Sequence, residues 1–406
     1  MLRERARAAA RQRMDDFVDE TFGPPSPQAD DRDVEITDDD APTSDPEFDQ
    51  RAEEAIPANV RMISGCHDTQ TSADVSNVDT FQLPDAAGMA GGACTSAILQ
   101  VVYKEEEPSS EDLTFMDVFL QTRDVIESKG FDQIPQLSSS RCIDVQQPFD
   151  LMSNEYGNEG TRYAVLIGIN YTSHRRGRLR GCHNDVHNIC KYIMDVGKVE
   201  ESNITILLDD GEATEPTRAN IMEALDELCQ KCEPDDTAFV HYSGHGGRVK
   251  DETGQDPTGF NSTLCPVDFD QPGVGQILDK ELYEHLVCAM PAGTSLTCLM
   301  DCCHSGTVLD LPYNFIADGE QTEMEPNQDF PFLKLLAMRQ ALREAGVETF
   351  RDLFDEEKRE QLKASYDAAY NESMEGLGRD IGGGENFGRA ARRERRQNRR
   401  ANRRKR

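Results

Sequence analysis

Apolar and polar positions along residues 161–318 form alternating blocks with strand-like and helix-like spacing. Continuous apolar runs such as RYAVLIGIN, NITILLDD, DTAFVHYSGHGG and TSLTCLMDCCHSG are typical of buried strands. Between them, HNDVHNICKYIMDVG and TRANIMEALDELCQKC have apolar residues at helical spacing, and Thr217 is a candidate N-cap for the second helix. This alternation predicts an α/β fold, with a mostly parallel sheet flanked by helices on both faces.

Composition divides the 406-residue chain into segments. Residues 1–55 form an acidic arm, which we expect to be disordered because it has too few large apolar residues to form a core. Residues 56–150 form a first ordered block that begins with the strand NVRMIS, and residues 161–318 form the second. Residues 319–406 are a C-terminal extension that we expect to be partly helical and to end in a disordered basic tail.

The charge of the chain argues against one class of partner. There are 43 Lys and Arg residues against 76 Asp and Glu residues, a net charge of −33. Such a surface repels phosphates, so we expect no nucleic acid partner. We find no apolar run of ~18 residues and no secretory h-region, so we expect no membrane association and a cytoplasmic location, with the nucleus as an alternative. Without an export signal, most of the 12 cysteines are expected to be reduced and buried.

Reactive side chains follow two of the predicted strands. FVHYSGHGG brings His245 to the end of one strand, and LTCLMDCCHSG brings Cys302, Cys303 and His304 to the end of another. Ligands of open α/β sheets bind beyond the carboxyl ends of the strands, where a thiol and an imidazole from neighbouring strands can meet. Cys302 and Cys303 point to opposite sides if the strand continues that far, and Cys303 is nearer the loop. His304 normally points away from its neighbour, so His245 is the better candidate for a base.

Several motifs together resemble a known family. YAVLIGINY, GCHNDV, HYSGHGG, PVDF and DCCHSGTVLDLP, in this order, resemble the large (p20-like) subunit of metacaspases, which are cysteine peptidases with a caspase fold. The resemblance implies a caspase-like sheet of six to eight strands, with Cys303 as the nucleophile, His245 as its partner and Cys302 as a structural residue. ISGCHDTQTSADV, AGGACTSAIL and FDQIPQLSSSRCIDVQQPF resemble the small (p10-like) subunit. This module precedes the large one, as in type III metacaspases.

The resemblance also implies a substrate class. Metacaspases cut after Arg or Lys, and Asp185 and Asp301 match the acids of the family's specificity pocket, with Cys182 and Ser243 at nearby pocket positions. Carboxylates suit that role because they pair with guanidinium and ammonium groups. An alternative for Asp185 is a structural role, as an acid in the first turn of a helix facing the macrodipole.

Calcium is the activator that the resemblance implies. Asp279 and Asp310 match the family's calcium positions, and Asn261 stands where relatives have Asp. Lys280 occupies a position where relatives commonly have a second Asp, so a lower affinity or a remodelled site is expected. The alternative is that these residues cap helices and turns.

The leading hypothesis is a calcium-activated cysteine endopeptidase that acts as a monomer on protein or peptide substrates with Arg or Lys at the cleaved bond. The resemblance also implies autoprocessing and a role in programmed cell death. One alternative is an inactive caspase-fold binding or scaffold protein. A redox-regulated protein is another, because the chain has 12 cysteines.

Overall fold

The structure is a computed structural model. It describes residues 46–65, 74–75, 91–103, 113–152, 160–174, 177–250, 260–302, 308–309, 311–328, 330–347, 352 and 355–380. The described residues fall into two compact units, one that ends at Phe330 and one that begins at Pro331.

The first unit contains helices and strands in alternation. Its helices are α1 (Pro46–Ala55), α2 (Ala93–Val102), α3 (Phe115–Ser128), α4 (Cys182–Asp195), α5 (Arg218–Lys231) and α6 (Asp279–Leu282), with a 3₁₀ turn at Glu201–Asn203 and a π-helical turn at Tyr283–Val287. Its strands are β1 (Asn59–Ser64), β2 (Asp74–Val75), β3 (Gly91–Gly92), β4 (Gln136–Ser139), β5 (Arg162–Gly168), β6 (Ile204–Leu208), β7 (Thr237–Ser243), β8 (Gly246–Lys250), β9 (Phe260–Leu264), β10 (Ile277–Leu278), β11 (Ser295–Asp301), β12 (Tyr313–Ile316) and β13 (Glu325–Pro326). The strands and helices predicted from the apolar runs of residues 161–318 are confirmed.

Eight strands form one sheet, in the order β13-β12-β4-β1-β11-β7-β5-β6. The five strands from β1 to β6 in this order pair in parallel, whereas β4 is antiparallel to both of its neighbours and β13 is antiparallel to β12. This confirms the predicted α/β fold with a mostly parallel sheet. Strands from both sequence blocks contribute, since β1 and β4 come from the first block and β5, β6, β7 and β11 from the second. Two small antiparallel sheets, β10-β9-β8 and β2-β3, accompany it.

The central strands of this sheet are buried in the core, and three of them end at the same edge of the sheet. Every residue of β7 and of β11 is buried, as expected for parallel strands covered on both faces. The pairing register places Gly168 beside Ser243, and Ser243 beside Asp301. The carboxyl ends of β5, β7 and β11 therefore coincide at one edge of the sheet, and the segments that follow them start from neighbouring points.

Local sequence explains where two of the helices begin. The Oγ1 atom of Thr217 accepts a hydrogen bond from the amide of Asn220, so the predicted N-cap of α5 is confirmed. Thr114 and Asp117 form a capping box at the start of α3, in which each side chain accepts a hydrogen bond from the other's backbone amide.

The prediction that the acidic arm is disordered through residue 55 is wrong for residues 46–55, which form α1. The residues 1–45 lie outside the described residues. Phe48 is buried and packs edge-on against Tyr313, with 5.3 Å between ring centroids, and the Tyr313 hydroxyl donates a hydrogen bond to Asp49. Ala52 and Ala55 are fully buried as well. These contacts join segments far apart in the sequence and supply the apolar burial that local composition did not indicate.

The second unit contains α7 (Phe332–Ala345) and α8 (Glu356–Asp380), which agrees with the partly helical extension that we expected. Helix α7 ends at Gly346, whose φ of +61° is the left-handed conformation typical of a residue that terminates a helix. The basic tail lies outside the described residues. Among the helices that the structure describes, none is both long and apolar enough to cross a membrane.

Candidate active site

His245 lies between β7 and β8, at the edge where the parallel strands end, and is 7% exposed. Its Nε2 atom lies 2.5 Å from the carbonyl oxygen of Gly177. Because a carbonyl can only accept, Nε2 carries the proton in the neutral ring and Nδ1 keeps its lone pair. The backbone amide of His245 donates to the Tyr171 hydroxyl at 2.9 Å, and the two rings are tilted by 32° with centroids 4.6 Å apart.

The electrostatic environment keeps His245 neutral. Burial lowers the pKa of His245 to about 4; the hydrogen bond to Gly177 opposes this shift, and the nearby His174 ring adds to it. An imidazole that is neutral at physiological pH, with one nitrogen free of a proton, has the protonation state that a general base requires.

Asp185 is fully buried in the first turn of α4, with its carboxylate turned towards another helix. Both of its oxygens lie 2.8 Å from the backbone amide of Gly92, which directly precedes α2. Its Oδ2 atom also accepts a hydrogen bond from the hydroxyl of Ser243 at 2.6 Å. The structure thus brings together two predicted pocket residues, Asp185 and Ser243, and adds the start of α2 from the first sequence block.

Asp301, the last residue of β11, is 4% exposed and faces the same helix start. Its Oδ2 atom accepts a hydrogen bond from the amide of Thr95 at 2.9 Å. A Cβ atom on Gly92 would lie 2.2 Å from Oδ2 of Asp301 and 3.1 Å from Oδ2 of Asp185. The two carboxylates therefore converge on Gly92, and a glycine is required there because no side chain fits between them.

The cysteines near this edge have different positions. Cys182 is the first residue of α4; it is buried, and its amide donates to the Asn170 side chain. Cys302 directly follows β11 and is buried at 1% exposure. Cys303, the predicted nucleophile, and His304 lie outside the described residues.

Two of the three candidate calcium ligands come from adjoining segments. The Oδ2 atom of Asp279 accepts a hydrogen bond from the amide of Ser262, the residue after Asn261, at 2.7 Å. The other Asp279 oxygen accepts from the amide of Lys280. Asp310 lies outside the described residues. Within the described part of the chain, no group of three or more His, Cys, Asp or Glu side chains is arranged to hold a metal ion.

Sequence reasoning did not identify the residues that hold this arrangement in place. Gly177 and Tyr171 contact the His245 imidazole, and the amides of Gly92 and Thr95 donate to the two carboxylates. Tyr171 is the last residue of the YAVLIGINY motif and directly follows the predicted strand. That position was the sequence signal that could have marked it as a residue near the site. Nothing in the local sequence links Gly92 or Thr95 to residues so distant along the chain.

Comparisons with known proteins identify the family of the chain. The family model described as "Metacaspase, peptidase C14 domain" matches residues 162–312, and the model described as "Caspase domain" matches residues 9–145. The chain is 50% identical to Metacaspase III c of Phaeodactylum tricornutum over 291 residues, which cover 71% of this chain and 85% of that relative. The chain belongs to the metacaspase family. The predicted membership of the metacaspase family is therefore confirmed, and this metacaspase is a caspase-like cysteine peptidase.

Fungal metacaspases share a shorter region. Identity is 43% over 162 residues with Metacaspase-1B of Neurospora crassa, covering 39% of this chain and 37% of the relative. It is also 43% over 176 residues with Metacaspase-1 of Sclerotinia sclerotiorum, covering 43% of this chain and 40% of the relative. This metacaspase thus spans less than half the length of these two fungal relatives.

Proposed function

We propose that the metacaspase is an endopeptidase that cleaves after Arg or Lys, with Cys303 as nucleophile and His245 as general acid and base. The observation that carries this proposal is the convergence of two buried carboxylates, Asp185 and Asp301, beside the strand that leads to His245. Ser243, which donates to Asp185 at 2.6 Å, lies two residues before His245. A buried pair of acids at this place suits a guanidinium or ammonium group, because charge-assisted hydrogen bonds offset the cost of burying that group.

The chemistry follows from the tautomer of His245. Nδ1 accepts the proton of the Cys303 thiol, and the thiolate attacks the scissile carbonyl carbon. The tetrahedral intermediate collapses when the C–N bond breaks, and the imidazolium returns the proton to the leaving amine. Water then attacks the acyl-enzyme with His245 as base, and the carboxylic acid product and the free thiol are released. Gly177 acts through its carbonyl, which keeps the proton on Nε2 and fixes the ring orientation.

The proposal includes the type III order of modules. One supporting observation is the order of the family matches, because the caspase model matches residues 9–145, ahead of the metacaspase model at 162–312. In addition, β1 from the first block pairs in parallel with β11 from the second, so both blocks build one sheet. A covalent connection in either order can join two such modules, provided that it is long enough to reach.

Activation by calcium is part of the proposal, and Asp279, Asn261 and Asp310 are the residues proposed to bind the ion. The hydrogen bond between Asp279 and the residue next to Asn261 supports a shared site. No catalytic step is assigned to the ion. A monomeric state, a cytoplasmic location, autoprocessing, a role in programmed cell death and the absence of membrane and nucleic acid partners remain predictions.

Hydrolysis of matched fluorogenic peptides tests the proposal. Four peptides differ only in the residue before the cleaved bond: Arg, Lys, Asp or Leu. Each is assayed in reductant with and without millimolar calcium, with the variant Cys303→Ala as the control. We expect cleavage of the Arg and Lys peptides alone, dependent on calcium and absent in the variant. Preference for Asp or Leu, or no hydrolysis by a folded chain, contradicts the proposal, and the second result favours an inactive scaffold.

A further inference from the structure

Tyr171 has a backbone conformation that is unusual for an aromatic residue. Its φ is +51°, in the left-handed region that bulky side chains rarely adopt. Such a conformation costs free energy and persists only where the surroundings impose it, and residues of this kind cluster at functional sites. Tyr171 is fully buried, and it lies in the segment that leads from β5 to α4.

Two contacts connect Tyr171 to His245, and a third connects it to Cys265, the residue after β9. Its hydroxyl accepts a hydrogen bond from the His245 amide at 2.9 Å and donates one to the carbonyl of Cys265 at 2.6 Å. Its ring lies against the imidazole, with 4.6 Å between centroids. The phenol thus fixes the backbone of His245 by a hydrogen bond and the plane of its ring by packing.

Asp209 supplies the restraint that holds Tyr171 in this conformation. Its Oδ1 atom accepts from the amide of Asn170 at 2.7 Å, and its Oδ2 atom accepts from the amide of Thr172 at 2.7 Å. The Thr172 hydroxyl donates to the Asp209 carbonyl at 2.9 Å. One carboxylate therefore binds the amides on both sides of Tyr171.

The carboxylate of Asp209 is ionised and well anchored. Burial acts to raise its pKa, but hydrogen bonds from His183, Thr172 and Asn170 outweigh this and lower the pKa to about 2. The His183 imidazole donates from Nε2 to Oδ1 at 2.6 Å. Charge-assisted hydrogen bonds of this kind are stronger than those of neutral groups, which suits a group that maintains a strained backbone.

The same segment leads to Gly177, whose carbonyl binds His245. The Leu179 amide donates to the carbonyl of Asn170 at 3.0 Å, which closes the loop between these two residues. Asp209 thus fixes the start of a loop that reaches His245 twice, through the Tyr171 ring and through the Gly177 carbonyl.

We propose that Tyr171 and Asp209 are positioning residues for the dyad: Asp209 holds Tyr171 in the left-handed conformation, and Tyr171 orients the His245 imidazole towards the nucleophile. The inference rests on the part of the proposed function that makes His245 the base. It assigns a role in catalysis to a carboxylate that lies outside the substrate pocket.

The decisive variant is Asp209→Asn, matched with Asp210→Asn. An asparagine side chain has one acceptor oxygen, so it can bind one of the two flanking amides and presents an NH₂ group to the other. Asp210 is adjacent and exposed, and its side chain accepts hydrogen bonds from the amides of Glu212 and Ala213, so it controls for the lost charge. The variant Tyr171→Phe keeps the ring and removes the hydroxyl, with its hydrogen bonds to His245 and Cys265.

Two measurements separate positioning from a merely structural role, both made well below the thermal midpoint of each variant. The first is steady-state hydrolysis of the Arg peptide: we expect kcat of Asp209→Asn to fall about 100-fold, as for a misplaced catalytic group, with little change in KM. The second is the rate at which iodoacetamide alkylates Cys303, with the exposed Cys142 as internal reference. We expect Cys303 alkylation to slow in Asp209→Asn and in Tyr171→Phe, and Cys142 alkylation to stay constant.

Wild-type kcat and alkylation in a folded Asp209→Asn variant overturn the inference, as does an equal loss in Asp210→Asn. If Asp209→Asn does not fold, Tyr171→Phe decides by the same criteria. If the wild-type chain cleaves no Arg or Lys peptide, the proposed specificity fails, and the Cys303 alkylation rates still test the inference.

Discussion

The Nε2 atom of His245 and the carbonyl oxygen of Gly177 are 2.5 Å apart, and this hydrogen bond assigns the tautomer of the imidazole. The proton stays on Nε2, so in the proposed mechanism Nδ1 is the nitrogen that exchanges a proton with the thiol and the leaving group. The arrangement is that of a base oriented by a third group, here a backbone carbonyl.

The first prediction concerns this base. Replacement His245→Ala removes the proton acceptor and donor, so we expect kcat to fall by about 100- to 10,000-fold. Initial rates on the Arg peptide measure the effect, and circular dichroism checks that the variant is folded. His174→Ala is the matched control, because its ring is close to Tyr171 but is not proposed to transfer a proton. Wild-type rates in His245→Ala contradict the assignment.

The second prediction is the direction of acid destabilisation. Burial lowers the pKa of His245 to about 4 and that of the fully buried His241 to about 3. In the unfolded chain a histidine has a pKa of about 6.5, so below that pH the unfolded chain binds more protons than the folded one. The contribution of these two histidines to the free energy of unfolding should therefore be fully present above pH ~6.5 and decrease as the pH drops towards ~4.

Thermal melts between pH 8 and pH 4 test this expectation. In His241→Gln this buried imidazole is absent, so the melting temperature should decline less steeply with falling pH than in the wild-type chain. Carboxylates titrate in both proteins, and the difference between the two curves isolates His241. If the melting temperatures of both proteins decline equally with pH, His241 does not contribute to the loss of stability in acid.

The third prediction separates the two roles of Asp301. Its Oδ2 atom accepts a hydrogen bond from the Thr95 amide, so the side chain caps α2. In the proposed pocket it also supplies negative charge. Asp301→Asn keeps an acceptor oxygen, and we expect it to lose Arg cleavage with little loss of stability. Asp301→Ala also leaves the buried amide without its acceptor, and we expect a further cost of about 1–3 kcal/mol. Chemical denaturation and Arg-peptide hydrolysis measure the two effects; retained Arg cleavage in Asp301→Asn rejects the pocket assignment.

The parts of the fold that were predictable share a physical cause. Buried parallel strands are continuous apolar runs, and α5 begins at a threonine that satisfies its first amides, so local sequence was sufficient for both. The alternation of strands and helices predicts a parallel sheet, in which neighbouring strands end at the same edge. The structure shows that β7 and β11 are such neighbours, so their carboxyl ends meet as predicted.

The rest depends on contacts between distant residues. Helix α1 is ordered because Phe48 packs on Tyr313, and composition alone made its segment look disordered. Asp185 and Asp301, from the second sequence block, accept hydrogen bonds from amides at the start of α2, in the first block. The motif resemblance identified these two acids as pocket candidates but did not indicate that they cap a helix. The strain at Tyr171 is a backbone property that a one-dimensional pattern does not contain.

The fourth prediction is that the chain is active without a cut between its modules. Residues 151–160, which connect them, contain no Arg or Lys, and neither do residues 142–150 before them, so a peptidase with the proposed specificity has no site there. The flanking Arg141 is half-buried and donates to the carbonyls of Ile56 and Ser140, and Arg162 lies in β5. In a time course, we expect full activity while gel electrophoresis still shows an intact connection. An activity that rises only as this connection is cut contradicts the prediction.

The fifth prediction concerns calcium affinity. Ca²⁺ affinity rises with the number of charged oxygen ligands, and Asn261 offers a neutral oxygen next to the residue that binds Asp279. We therefore expect Asn261→Asp to lower the calcium concentration for half-maximal activity, and Asp279→Asn to raise it, each by at least severalfold. Titration of Arg-peptide hydrolysis with buffered calcium measures both shifts.

Two further variants make the calcium test specific. Lys280→Ala removes an exposed positive charge beside Asp279, and it should shift the calcium midpoint in the same direction as Asn261→Asp through weaker repulsion of the ion. Asp318→Asn removes an acid whose carboxylate binds the amides of Glu320 and Gln321, and it should leave the midpoint unchanged. If all four variants share the wild-type midpoint, these residues do not bind the activating ion. Midpoints that shift with Asp318→Asn as much as with Asn261→Asp would instead indicate a general effect of surface charge.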